Sequence, residues 1–280
     1  MPMPENFGIV LAPYGTLFPP ALATYDQIKK AYEREFPGSP VRLAFTSPLM
    51  RKRLRENEGI SIKNLLAALA ELHDLGCESV AVQSLQIVPG GEFHQVAAQV
   101  QDLQGRGKQA FSRLVMGLPL LSDLRDCQRV SSVLPALCSG PSSRRDPEKE
   151  AMLLVGHGTG HPADALYSLM AQVLKIEHEN VFLGTIEGFF GLAKLLPELK
   201  GCKARVVRLS PFLLLAGGHA ENDIFGQNPE SWKCTLERQG FEVVADQHGL
   251  GQRAEIVSLF LEHTRNALKR NPLTKRYIDQ

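Results

Sequence analysis

The chain has 280 residues, enough for two ordinary domains or one large α/β unit and for a core that needs neither disulfides nor a structural metal. Lys plus Arg number 31 and Asp plus Glu 30, a net charge of +1, so no basic excess points to nucleic acid as the partner. Hydrophobic residues make up 44% and charged residues 22%, which excludes disorder as the main state.

The first apolar run, Phe7 to Ala12, reads as a strand; with no basic residue before it, it is not expected to be a signal peptide. No run approaches 18 uninterrupted apolar residues, so no membrane span is expected. The five cysteines, Cys77, Cys127, Cys138, Cys202 and Cys234, are odd in number and never two apart in CxxC spacing. They fit a reducing cytoplasm and offer no zinc or iron–sulfur site.

Pro20 to Phe36 has helical spacing at Ala21, Tyr25, Ile28 and Tyr32. Val41 to Phe45 is a second strand, and Ile62 to Leu75 a periodic helix closed by Gly76. Ser79 to Val88 is a third strand, broken by Pro89-Gly90-Gly91, and Glu92 to Leu103 a helix. Arg113 to Leu118 is a fourth strand. The polar stretch from Ser139 to Lys149 reads as a linker. Then the pattern restarts: strand Met152–Val155, helix Pro162–Ile176, strand Val181–Gly184, helix Gly188–Leu199, strand Ala204–Leu209 running on towards Leu215, strand Phe241–Ala245 and helix Arg253–Lys269. Strands alternating with helices imply βαβ units and parallel sheets covered by helices.

The two halves repeat. Tyr14-Gly15-Thr16 corresponds to His157-Gly158-Thr159, Ser47 to Glu187, and the GGE ending at Glu92 to the GGH ending at His219. The expected architecture is therefore α/β, with two similar domains, residues 1–140 and 141–280. Each is a parallel sheet flanked by helices, and the two are related by a pseudo-twofold with a cleft between them. Open α/β sheets bind ligands at the carboxyl ends of their strands.

The residues that carry chemistry follow predicted strands: His157 after LLVG, Glu187 after FLGTI, His219 after FLLLAGG and Glu92 after LQIVPGG. Loops at strand ends present functional groups on a rigid scaffold. Two imidazoles and a carboxylate form a donor set suited to a borderline divalent ion such as cobalt, nickel, iron or zinc, with positions left open. A strand-end histidine also serves commonly as a plain hydrogen-bonded loop residue, so spacing alone leaves both readings open. His161 lines a pocket or caps the following helix; His94 is a surface residue or a ligand at an interface; His248 follows a strand and lines the same edge. His73, His178 and His263 read as solvated helical residues. The basic run Arg51-Lys52-Arg53-Leu54-Arg55 is a solvated helix face or an electrostatic guide for a polycarboxylate. No GxGxxG, Walker A, HExxH or GxSxG stands in a fitting context.

Taken together, YGT at 14–16, AFTSPLMRKRL, VQSLQIVPGGEF, MGLPLLS, VGHGTGH, GTIEG, LSPFLLLAGGHAENDI and SWK at 231–233 make the chain resemble the anaerobic sirohydrochlorin cobaltochelatase family, the CbiK type of class II chelatase. The resemblance covers about residues 7–268. It implies insertion of Co²⁺ into sirohydrochlorin with release of two protons, during early cobalt insertion into cobalamin. His157 and His219 match the family's metal-site histidines, Glu92 its active-site glutamate and Glu187 a further glutamate. Implied catalytic residues are His157, Glu92 and His219, and implied metal ligands His157, Glu187 and His219. Tyr14, Ser47, Arg53 and Ser84 are expected to meet the macrocycle. Ala12-Pro13-Tyr14 departs from the smaller pair common at this point. The resemblance further implies a lyase-class enzyme of the cytoplasm without a permanently bound cofactor. Its partners are a tetrapyrrole and a divalent ion, Co²⁺ as substrate metal with Fe²⁺ or Ni²⁺ possible in vitro, and no nucleic acid or membrane; a homo-oligomer is compatible. The alternatives are a sirohaem ferrochelatase and a non-catalytic tetrapyrrole or metal carrier.

Overall fold

A computed structural model describes residues 6–105, 111–138 and 150–269. The predicted linker at 139–149 lies outside them.

In the first half the strands are β1 (Phe7–Ala12), β2 (Val41–Leu43), β3 (Ser79–Ser84) and β4 (Arg113–Gly117). The helices are α1 (Pro19–Glu35), α2 (Pro48–Glu58), α3 (Leu65–Asp74), α4 (Gly91–Gly105) and α5 (Leu124–Cys138). In the second half the strands are β5 (Glu150–Gly156), β6 (Val181–Thr185), β7 (Val206–Pro211) and β8 (Glu242–Ala245). The helices are α6 (Ala165–Glu177), α7 (Leu192–Gly201), α8 (Trp232–Arg238) and α9 (Ala254–Lys269). The strands pair, all in parallel, in the orders β2-β1-β3-β4 and β6-β5-β7-β8. The fold is α/β, with two four-stranded parallel sheets flanked by helices among the described residues.

Alternation within buried strands explains why both faces must be covered. Val10, Ala12, Val80, Val82, Leu114 and Met116 pack with Leu65, Leu69 and Leu72 of α3 and Phe93, Val96 and Val100 of α4. The intervening Ile9, Leu11, Ala81 and Val115 are equally buried. In the second half Leu153, Val155, Val207 and Leu209 pack with Leu195 and Leu199 of α7 and Trp232 and Leu236 of α8.

The repeat extends to individual hydrogen bonds. Thr46 N donates to Pro13 O at 2.9 Å, and Ile186 N to Gly156 O at 2.9 Å. Ser47 N donates to Tyr14 O at 3.1 Å, and Glu187 N to His157 O at 2.7 Å. Leu120 N donates to Gln86 O at 3.0 Å, and Leu250 N to Leu213 O at 2.8 Å. Phe18 N donates to Thr16 Oγ1 and His161 N to Thr159 Oγ1, both at 3.1 Å. Buried Tyr25 bonds the Gly15 backbone as buried Tyr167 bonds that of Gly158, and burial pushes both phenols far up.

The compact units differ from the linear division at 140/141. One comprises Met1–Leu120 with Val257–Gln280, the other Leu121–Ile256. The physical reason is that each half's last helix packs outside its own sheet. α5 packs on α6 of the second unit, while α9 is tied into the first unit by buried polar bonds. Thr264 Oγ1 bonds Tyr32 Oη at 3.1 Å and donates to Gln83 Oε1 at 2.8 Å. Gln83 Nε2 donates to Ser84 O and Leu118 O. His263, expected in solvent, is instead 6% exposed, with Nδ1 3.0 Å from Leu118 O. His178, likewise expected in solvent, is half-buried and bonds Ser131 Oγ at 3.0 Å.

Because this network is fully buried, removing one hydroxyl orphans two partners. Thr264→Val, nearly isosteric, should destabilise the protein by about 2–3 kcal/mol in urea unfolding; a change within about 0.5 kcal/mol would show that the network does not hold α9.

Candidate active site

The second unit gathers its chemistry at the carboxyl edge of its sheet. His157 follows β5 directly. Gly158 takes φ +78°, and a Cβ there would stand 1.4 Å from Glu187 O, so only glycine allows the β5 and β6 loops to close on one another. His219 follows β7 and opens a single turn in which Phe225 N reaches Ala220 O at 2.9 Å, an i→i+5 bond of the kind enriched at functional sites.

These turns bring two imidazoles together. The rings of His157 and His219 lie edge to face, with centroids 4.7 Å apart and planes at 88°. With metal–nitrogen bonds of about 2.0–2.1 Å, two imidazoles sharing an ion hold their centres roughly 4.5–5.5 Å apart. Each ring is anchored through Nδ1: His157 2.9 Å from Gly158 O, and His219 2.7 Å from Asp223 Oδ2. Both partners are acceptors, which assigns the proton to Nδ1 and leaves the Nε2 lone pair as donor. His157 is half-buried and His219 exposed.

Glu187 is tied to His157 through its backbone N–H, and its side chain is exposed. Among the described residues no three His, Cys, Asp or Glu side chains come together as one metal-holding group. The structure thus pairs His157 with His219 and sets Glu187 beside them without assembling the three.

The other sequence candidates fall as follows. His161 is a cap: its Nδ1 accepts from Ala163 N at 3.1 Å and opens the short turn Pro162–Asp164. His248 ends the β8 loop, with Nδ1 2.7 Å from Asp246 Oδ1. In the first unit, exposed Glu92 stands in the first turn of α4, where a carboxylate complements the helix dipole. His94, two residues further on, is exposed. Tyr14 is 43% exposed at the end of β1. Ser47 is buried and caps α2 by accepting from Met50 N at 3.3 Å. Ser84 is fully buried and bonds Gln86. Arg53 is exposed. Arg51 turns inward, donating to Phe45 O and Thr46 O, and burial lowers its pKa.

Sequence reasoning missed Asp223, the carboxylate that fixes His219; its signal was the i,i+4 spacing His219/Asp223 on one helical turn. It also missed Asp246, held by Ser210 Oγ at 3.0 Å, by Arg253 and by His248.

The model of the family described as cobalt chelatase (CbiK) matches residues 7–269. The chain belongs to the CbiK cobalt chelatase family. It is 34% identical over 263 residues to the sirohydrochlorin cobaltochelatase CbiKC of Nitratidesulfovibrio vulgaris, covering 94% of this chain and 90% of that protein. It is 32% identical over 225 residues to the sirohydrochlorin cobaltochelatase of Salmonella typhimurium, covering 80% and 82%. Among solved structures, SirB from Bacillus subtilis with Fe³⁺ superposes with a TM-score of 0.70 at 13% identity, over 97% and 98% of the two chains. SirB from Bacillus subtilis subspecies spizizenii in complex with cobalt gives 0.64 at 12% identity, over the same shares. These two share the fold of this CbiK-family chain. No helix of the described residues is long and apolar enough to cross a membrane.

Burial raises the Asp246 pKa, but the His248 hydrogen bond, the Arg253 charge and the Ser210 hydrogen bond outweigh it, so the net shift is downward. Ionised Asp246 therefore contributes stability above its unfolded pKa of about 3.9, and that contribution is lost as pH falls through the lower native value. Asp246→Asn should cost about 2–4 kcal/mol near neutral pH, with the gap to wild type closing below about pH 4 in urea unfolding. A pH-independent gap would contradict this account.

Proposed function

We propose that this CbiK-family chain is a lyase-class sirohydrochlorin cobaltochelatase: it inserts Co²⁺ into sirohydrochlorin with release of two protons, serving early cobalt insertion into cobalamin. The observation that carries the reading is the His157–His219 pair, with both Nδ1 atoms anchored and a ring spacing fit for one ion. Family membership and the names of the two relatives support cobalt and sirohydrochlorin as substrates. Both are substrates here, and Co²⁺ is cargo.

His157 and His219 bind the ion through Nε2. Glu187, anchored to the His157 carbonyl, is assigned as the oxygen donor that joins when the ion is present. Imidazole suits cobalt, and three donors leave positions open for the ring nitrogens. A nitrogen engaged with the ion cannot accept a proton. As Co²⁺ passes to the ring nitrogens, one freed Nε2 lone pair takes a pyrrole proton. Two protons leave the macrocycle as two positive charges enter it, so its net charge is unchanged. Glu92 is assigned as the second acid/base, taking the other pyrrole proton. Tyr14 and Arg53 remain the proposed macrocycle contacts, with Arg53 the one able to meet a substrate carboxylate, and Ser47 and Ser84 are proposed to shape that surface from beneath it. The buried hydroxyls of Ser47 and Ser84 act through the loops they hold.

Anaerobic absorbance of sirohydrochlorin with the purified protein and Co²⁺, Fe²⁺ or Ni²⁺ in turn tests the reading. Many insertions per chain are expected with Co²⁺; at most one per chain would mean a carrier, and preference for Fe²⁺ a ferrochelatase. His157→Ala and His219→Ala should each lower insertion by about 10²–10⁴-fold with unfolding little changed. Full activity in both variants would overturn the assignment.

A further inference from the structure

The loop bearing His157 and the loop bearing Glu187 are joined by one side chain. Asp164 Oδ1 accepts Thr159 N at 3.0 Å, two residues from His157, and Asp164 Oδ2 accepts Phe189 N at 3.0 Å, two residues from Glu187. Gly188, at φ +104°, leaves the room: a Cβ there would stand 2.5 Å from Asp164 Oδ1. The far side of Phe189 is held as well, since Lys194 Nζ donates to Phe189 O at 2.7 Å and lies 3.5 Å from its ring centre.

The internal repeat serves as a control for what the fold itself requires. Asp164 lies between the matched pairs Phe18/His161 and Tyr25/Tyr167, and counting from them it falls at Ala21 or Leu22 of the first half, both apolar. The first half builds the same loop and the same Ser47-to-Tyr14 bridge with no acceptor side chain at that place. There the loop after β2 is held by the Ser47 side chain capping α2. The half that carries the imidazole pair lacks that serine and has a two-pronged acceptor reaching across from the neighbouring loop. The carboxylate is therefore an addition specific to the histidine-bearing half.

We infer that Asp164 is a positioning residue for metal capture: it fixes His157 and Glu187 in one frame by accepting one backbone N–H from each of their loops. The inference rests on the proposed metal role of His157. Charge-assisted acceptance from backbone N–H groups is strong and directional, and groups that orient metal ligands change metal affinity by about 10–100-fold when altered.

Asp164→Asn tests it, because one amide oxygen can serve only one of the two loops and leaves the other N–H facing NH₂. Gly188→Ala is the second variant; it displaces the carboxylate while leaving it charged. The readouts are the Co²⁺ d–d absorption spectrum and titration of the purified protein, quenching of the single Trp232 by sirohydrochlorin, and urea unfolding. Both variants should weaken Co²⁺ binding by about 10–100-fold and alter the d–d bands, while sirohydrochlorin affinity stays within about threefold. Wild-type Co²⁺ affinity and spectrum in Asp164→Asn, or equal losses of metal and macrocycle binding that track a fall in stability, would overturn the inference. His157→Ala in the same titration separates the two claims. If it binds Co²⁺ as wild type does, the metal reading fails; if it loses Co²⁺ while Asp164→Asn does not, only the positioning role fails.

Discussion

The chemistry of this chain depends on parallel strand pairing. Because β5, β6, β7 and β8 all run in one direction, the loops that leave them start at one edge of the sheet, and those loops carry His157, Glu187, His219 and His248. The loops at that edge cannot fold independently. Their first backbone groups are committed to bonds across neighbouring strands, such as Ile186 N to Gly156 O, Glu187 N to His157 O and Phe212 N to Val155 O. A strand-end residue here is thus placed by its neighbour's backbone as much as by its own loop.

The same frame is present twice, which separates what the fold needs from what the site needs. Positions engaged through backbone groups tolerate a change of side chain without a change of geometry: Tyr14 becomes His157, and Ser47 becomes Glu187, over bonds that keep their partners. At these positions the frame is indifferent to side-chain identity. The glycines show the complement. Gly15 is packed against the Phe45 ring, whereas Gly158 is packed against the Glu187 carbonyl. An apolar contact closes the loop in one half, and a backbone contact closes it in the half that sets the His157 and Glu187 loops on each other.

Strand positions were legible in the sequence because buried parallel strands are short apolar runs bounded by breakers; β1 matches its predicted range and β5 to β8 fall within a few residues of theirs. The apolar run beyond Ser84 reads as strand to Val88, yet β3 ends at Ser84, where Gln83 and Ser84 turn their polar groups into the network around α9. α5 and α8 went unread: their apolar spacing is interrupted by polar residues that serve buried bonds and caps, as Ser131 does for His178 and Ser231 for Cys234 N. The exchange of the last helices was not legible, since nothing local tells α9 that its Thr264 will meet Tyr32 and Gln83. At the site, the pairing of His157 and His219 follows from strand-end position plus the repeat. The anchoring acids Asp223, Asp164 and Asp246 did not stand out, because an acceptor's role depends on which N–H faces it, and that is a property of the fold.

The charge balance also reads differently once side chains are placed. A net charge of +1 gives no long-range attraction for a polycarboxylate, so under the proposed function any attraction must be local. The basic run on α2 supplies less than its composition implies. Arg51 is spent on the Phe45 and Thr46 carbonyls, where it closes the end of β2, and Lys52 lies 3.9 Å from Glu56 on its own helix. Arg53 and Arg55 remain exposed. Two guanidiniums on one helix suit short-range, bidentate recognition of carboxylates. Such contacts lie within the Debye length of about 8–10 Å, so salt screens them less than a long-range field. A substrate that must be released after a doubly charged ion has been added to it is better served by a few such contacts than by a strong field over the whole molecule.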